Sequence, residues 1–150
     1  MMKFFIFKIL TISLLISTSL QCYALISVGN VSREAAREMG IEVKSRPSGP
    51  DMQRVTLRFK KAGKLKDFNV DHGGQVELRL KEIKTSLLRE PKPLLHASLQ
   101  TREIESDTVS VDFTIAQKQI SQANLMIIVW SGTRTASGYM IDLKEFLTLE

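Results

Sequence analysis

Residues 109–115 read Val-Ser-Val-Asp-Phe-Thr-Ile, and this stretch decides the fold. Val109, Val111, Phe113 and Ile115 are apolar, and Ser110, Asp112 and Thr114 between them are polar. Successive side chains on a β-strand point to opposite faces. A period of two therefore sends one face into a core and the other into water. Three of the four apolar residues are β-branched, which favours a pleated strand over a helix.

The same period recurs on both sides of this stretch. Upstream, Ile41 and Val43 alternate with Glu42 and Lys44; Val55, Leu57 and Phe59 with Thr56, Arg58 and Lys60; Val76, Leu78 and Leu80 with Glu77, Arg79 and Lys81; and Ala97 and Leu99 with Ser98 and Gln100. Phe68 and Val70 suggest a further short strand. Downstream, Leu125–Trp130 is a continuous apolar run, and Tyr139, Ile141 and Leu143 begin a last alternating segment. Turn-rich breaks punctuate the series: Arg46-Pro-Ser-Gly-Pro-Asp51, Lys61-Ala-Gly-Lys64, Asp71-His-Gly-Gly74, Glu90-Pro-Lys-Pro93 and the small, polar Ser131–Gly138.

About seven or eight strands result, each with one wet and one dry face. Two dry faces must bury each other, so the expected fold is all-β, an immunoglobulin-like or fibronectin-like antiparallel sandwich of about seven strands. A small β-barrel is the alternative. One short helix is expected before the strands, over Arg33–Met39. Ser32 is placed to cap it, Val31 to staple onto Ala36, and Gly40 to stop it. At about two turns it must pack on something to persist.

The Leu125–Trp130 run breaks the alternation. With Leu125, Ile127 and Val129 in the core, Met126, Ile128 and Trp130 fall on the outer face, joined by Met140 if the last two strands pair as a hairpin. An apolar patch on a wet face needs a cover. The intramolecular cover expected is the Arg33–Met39 helix. The other is a partner protein, with Met126, Ile128, Trp130 and Met140 as contact residues and Trp130 as the anchor.

Residues 1–24 carry a basic start at Lys3 and Lys8, an apolar middle, small polar Ser17–Ser19 and Ala24. This is the pattern of a secretory signal peptide, and the apolar stretch falls short of the ~20 residues a spanning helix needs. The expected organisation is a signal peptide over 1–24 and one sandwich domain over 25–150, in a periplasmic or secreted protein with no transmembrane segment after processing. Cys22, the only cysteine, offers a lipid anchor as the alternative, although Gln21 directly before it fits that signal poorly. One Cys and two His leave no room for a disulfide framework, a cysteine-based zinc site or an iron–sulfur cluster.

Lys+Arg total 21 against 16 Asp+Glu, and loss of Lys3 and Lys8 with the leader reduces the excess to three. So mild a charge argues against a nucleic-acid partner. One local cluster, Arg54, Arg58, Lys60, Lys61, Lys64 and Lys66, has no acid within it and is expected either as a solvated strand face or as a patch for an anionic surface polymer.

Signals for chemistry are sparse. His72 in Asp71-His-Gly-Gly74 is the one loop histidine, and Glu103 and Glu105 fall on one face of a strand. Together they define an alternative reading as a metal-dependent or carbohydrate-active enzyme module. No nucleophile elbow or phosphate-loop motif occurs, although Ser131–Gly138 has the small residues and the Arg134 that suit an anion. Asn30-Val-Ser32 matches a glycosylation acceptor. The expected protein is a binding or accessory module of the envelope or extracellular space that has no cofactor, metal or catalytic residue. An envelope or extracellular protein, or an anionic polymer, is its expected partner.

Overall fold

The structure, a computed structural model, describes residues 25–81 and 93–147. The leader, Cys22, and all of Glu90-Pro-Lys-Pro93 except Pro93 lie outside them. In chain order the elements are β1 (Leu25–Asn30), α1 (Arg33–Glu38), β2 (Ile41–Gly49), β3 (Met52–Lys60), β4 (Gln75–Lys81), β5 (Pro93–Leu99), β6 (Thr101–Glu105), β7 (Thr108–Ala116), β8 (Ala123–Ser131), β9 (Thr135–Asp142) and α2 (Leu143–Phe146). They form two packed sheets, one ordered β1-β9-β8-β4-β5 and the other β2-β3-β7-β6.

The expected all-β sandwich is what forms. Its connectivity from β2 to β9 is that of the immunoglobulin type. Assigning these eight strands in order as A, B, C, C′, D, E, F and G turns the four-stranded sheet into A-B-E-D and the other into G-F-C-C′. The two sheets stay separate, so the barrel alternative falls. The core is the alternation made physical. Val55, Leu57, Phe59, Val109, Val111 and Ile115 from one sheet meet Val76, Leu78, Leu125, Ile127, Val129 and Ile141 from the other, all buried. Each such side chain contributes about 1.5–3 kcal/mol by leaving water, which stands in for the missing disulfide.

Several expectations need correction. Nine strands form among the described residues, and the first, β1, precedes the helix instead of following it. β1 pairs in parallel with β9, Val28 opposite Gly138, so the five-stranded sheet is not purely antiparallel. Leu25–Asn30 was hidden because its apolar residues continue the leader and Gly29 interrupts it. Phe68 and Val70 form no strand. Phe68 turns inward and packs edge-to-face on Phe59, with ring centroids 4.9 Å apart, and a 3₁₀ turn follows over Val70–His72. The last strand starts at Thr135, so only Gly132, Thr133 and Arg134 remain as a three-residue hairpin loop.

Helix α1 is capped as expected, the Ser32 hydroxyl accepting from the Ala35 N–H at 3.2 Å. It does not cover the Met126 face. Ala36 is 1% exposed within the main core, beside Val31 and Ile41. The helix joins the edge strand of one sheet to the edge strand of the other, so its apolar stripe faces the open side of the sandwich. Among the described residues no helix is long and apolar enough to cross a membrane.

Candidate functional site

The connection from β3 to β4 builds one wall of the main cleft. It leaves β3 with the Lys61 N–H bonded to the Asp107 carbonyl at 2.6 Å. Leu65 and Phe68, 0% and 2% exposed, then pin it to the core. Asn69 organises the rest: its side-chain oxygen accepts from the Asp71 N–H at 2.9 Å, and its carbonyl accepts from the Gly74 N–H at 2.7 Å. Gly73 closes this turn at φ +85°, a left-handed conformation that glycine adopts without steric cost. The opposite wall is the β8–β9 hairpin loop, closed by Thr135 donating to the Ser131 carbonyl at 2.6 Å. Tyr139 on β9 reaches the Lys64 carbonyl at 3.4 Å and ties the two walls together.

Between them lies a cleft of about 940 Å³, lined by Lys61, Lys66, Asp67, Asn69, His72, Trp130 and the 131–133 loop. Three stretches with separate interest in the sequence meet here: part of the basic cluster, the Asp71–Gly74 turn, and the small-residue hairpin. Trp130 stands at the junction. Its Nε1 is 3.1 Å from where a side chain on Gly73 would begin, so the Nε1–Cδ1 edge of the indole packs closely on Gly73. The indole N–H has no protein acceptor among the described residues, and Lys66 and His72 have no ion-pair partner there. The cleft is thus rich in hydrogen-bond donors and cations, with Asp67 as its one carboxylate.

The contact residues expected for a partner protein share one face but differ in exposure. Met126 and Ile128 are 1% and 3% exposed and cluster with Ala136, and Trp130 packs against this cluster. Gly138 makes room for this packing: the Met126 sulfur and a Val28 methyl each lie 3.2 Å from where its Cβ would stand. Trp130 and Met140 are half-buried, but Trp130 pairs with Ala136 near the hairpin loop and Met140 with Met126 further down the strands. Only Trp130 belongs to the cleft.

The basic cluster also divides. Arg54, Arg58 and Lys60 lie on the outer face of β3, since Val55, Leu57 and Phe59 take the inner one. Lys61 is tied to Glu103 at 2.7 Å, and Lys64 and Lys66 ride on the loop. The residues of the enzyme alternative lie on the β3–β4 connection and on β6. His72 lines the cleft, Glu103 is held by Lys61, and Glu105 is exposed beyond a bulge in β6. Among the described residues no group of three or more His, Cys, Asp or Glu side chains is placed to hold a metal.

Sequence reasoning passed over one buried carboxylate. Glu77, on the outer face of β4, has a side chain only 5% exposed. It accepts from Arg79 at 2.7 Å and Gln75 at 2.9 Å, and His96 Nε2 stands 2.7 Å from it. Arg79 stands in register with His96 across β4 and β5, a signal that becomes visible only once the pairing is known.

No protein-family model matches this chain, and no curated protein is similar to it in sequence.

Proposed function

We propose that the protein is an exported, non-catalytic recognition module of the envelope or extracellular space, and that its ligand, an acidic saccharide, seats in the Trp130 cleft. The observation that carries this reading is the meeting of the β3–β4 and β8–β9 loops at one end of an immunoglobulin-type sandwich. These correspond to the B–C and F–G loops, the end at which variable domains bind their ligands. That parallel concerns the fold alone; the ligand class comes from the lining. A half-buried indole offers a flat apolar wall for a sugar ring. Lys66 supplies charge for a carboxylate and His72 a polar ring beside it, and the Ser131 and Thr133 hydroxyls suit ring oxygens. Export rests on residues 1–24, whose basic, apolar and small-residue order is that of a cleaved leader.

Trp130 is the only tryptophan, so its emission reports on this cleft alone. Titration with oligogalacturonate should shift or quench it saturably, and neutral oligogalactose should not. Lys66→Gln should weaken binding about tenfold, the loss of one charge-assisted hydrogen bond. Emission indifferent to acidic saccharides at low salt would end the reading. Mass spectrometry of the exported product tests processing: cleavage after Ala24 is expected, and a lipidated Cys22 would replace it with an anchored protein.

A further inference from the structure

A different surface carries charge more strongly than the cleft does. The outer face of the four-stranded sheet collects Lys44, Arg46, Arg54, Arg58, Lys60 and Arg102 against three carboxylates, Glu42, Asp112 and, on the edge strand, Glu105. From Leu25 onward the chain has 19 basic and 16 acidic residues. The described residues include 16 of these bases and 13 of these acids; six of the bases and three of the acids lie on this face, leaving ten of each elsewhere. The net positive charge of the described residues therefore belongs to one side of the sandwich.

Register turns these residues into ranks across the sheet. Glu42, Arg58, Ser110 and Arg102 stand in line over β2, β3, β7 and β6; Lys44, Thr56 and Asp112 form the next rank; and Arg46, Arg54 and Thr114 the third. Ranks are about 7 Å apart along the strands, and neighbours within a rank about 5 Å apart. Two adjoining grooves, about 540 and 370 Å³, share Arg54, Arg102 and Asp112 as walls.

One atom in this face is out of place for a simple solvated surface. Ser110 is 2% exposed, flanked in register by Arg58 and Arg102, and its hydroxyl has no hydrogen-bond partner. A buried hydroxyl left unpaired costs about 1–3 kcal/mol, and native proteins rarely tolerate one without a reason. The guanidiniums beside it are loosely held. Arg54 and Arg102 stand 3.8 and 3.6 Å from the two Asp112 oxygens, beyond hydrogen-bond range, and the oxygen nearer Arg54 accepts from the Thr56 hydroxyl at 2.6 Å. Arg46 acts on the same carboxylate only from longer range.

We propose that this face is a second binding site, independent of the cleft, for a linear polymer bearing tetrahedral oxyanions, phosphate or sulfate esters, with Ser110 between Arg58 and Arg102 as its central subsite. Register sets donors from three strands side by side, Arg58 on β3, Ser110 on β7 and Arg102 on β6, which suits the three terminal oxygens of a tetrahedral monoester better than a flat carboxylate. Arginine is the residue for such a fork of contacts. The site is recessed between side chains, so a chain lies along it, whereas a bilayer meets only the rim.

The purified protein is titrated with dextran sulfate and with dextran phosphate over a range of salt concentrations. Saturable binding of both is expected, with affinity falling linearly on a log–log salt plot. Ser110→Ala should weaken binding about tenfold while leaving the melting temperature level or raised, because it removes an unpaired hydroxyl and no native bond. The double variant Arg58→Gln/Arg102→Gln should lower the salt slope by about two, against less than one for the distant surface variant Lys118→Gln. Trp130→Ala should leave these affinities unchanged. The proposal is overturned if Ser110→Ala binds as tightly as the parent, or if the double variant loses no more than Lys118→Gln. It is also overturned if polygalacturonate or phosphatidylglycerol vesicles bind this face, judged by loss in the double variant, as tightly as the two ester polymers.

Discussion

Replacing Gly73 by Ala is a test of how the cleft is built, because Gly132 provides its control. Both glycines have left-handed backbones, φ +85° at Gly73 and +78° at Gly132. An alanine there costs about 1–2 kcal/mol in conformation alone. The surroundings differ. A Cβ on Gly132 meets nothing within 4 Å, whereas one on Gly73 meets Trp130 Nε1 at 3.1 Å and Cδ1 at 3.2 Å. Those separations are a few tenths of an ångström too short, and a rigid indole can yield only by tilting as a whole. Overpacking of this kind adds about 1 kcal/mol or more. Gly132→Ala should therefore cost about 1–2 kcal/mol and Gly73→Ala about 2–3 kcal/mol. At this size each kcal/mol lowers the melting temperature by about 3–5 °C, so the two variants should differ by several degrees in thermal unfolding followed by circular dichroism. Tryptophan emission should move in Gly73→Ala and stay in place in Gly132→Ala. Equal melting temperatures with unshifted emission in both variants would refute the packing of Trp130 on the Asp71–Gly74 turn, and with it the wall of the cleft.

Three further outcomes are expected. Leu57→Ala, at a fully buried position on a central strand, should destabilise by about 2–5 kcal/mol in urea unfolding, whereas Arg58→Ala on the opposite face should stay within about 1 kcal/mol. Glu77→Ala should cost about 1–3 kcal/mol, discounted from a fully buried pair because Arg79 and His96 remain partly in water, and the further change Arg79→Ala should add little once the carboxylate is gone. The Thr56 hydroxyl, with Arg54, Arg102 and Arg46, holds the Asp112 carboxyl below the usual carboxylate range. A lowered folded-state pKa stabilises above the unfolded value, so the margin of the parent over Asp112→Asn should be present at neutral pH and vanish as pH falls below about 4; a margin unchanged in acid would contradict it.

The sequence made most of the sandwich legible, strand by strand. β2, β3, β4, β7 and the start of β8 alternate because each residue answers to its own two-sided environment, and that signal is local. Helix α1 was legible for the same reason: Ser32 and Gly40 act within one turn of their own backbone. β1 was not, because Leu25–Asn30 has no alternation of its own and becomes a strand through its parallel partner β9. Phe68 was misplaced because its burial depends on Phe59, which belongs to another element.

The site divides along the same line. That His72, Trp130, Lys66 and the small residues after Ser131 were chemically notable could be read one stretch at a time. That they face one cleft, that Met126 and Ile128 are buried in a cluster on which Trp130 packs, and that Arg102 and Ser110 complete an arginine face begun on β3, followed only from strand pairing. Sequence by itself determined which residues seek the interior, since hydrophobic burial is a property of each side chain. Tertiary structure alone decided which surfaces those residues leave together, since sheet order and register join positions that the chain keeps far apart.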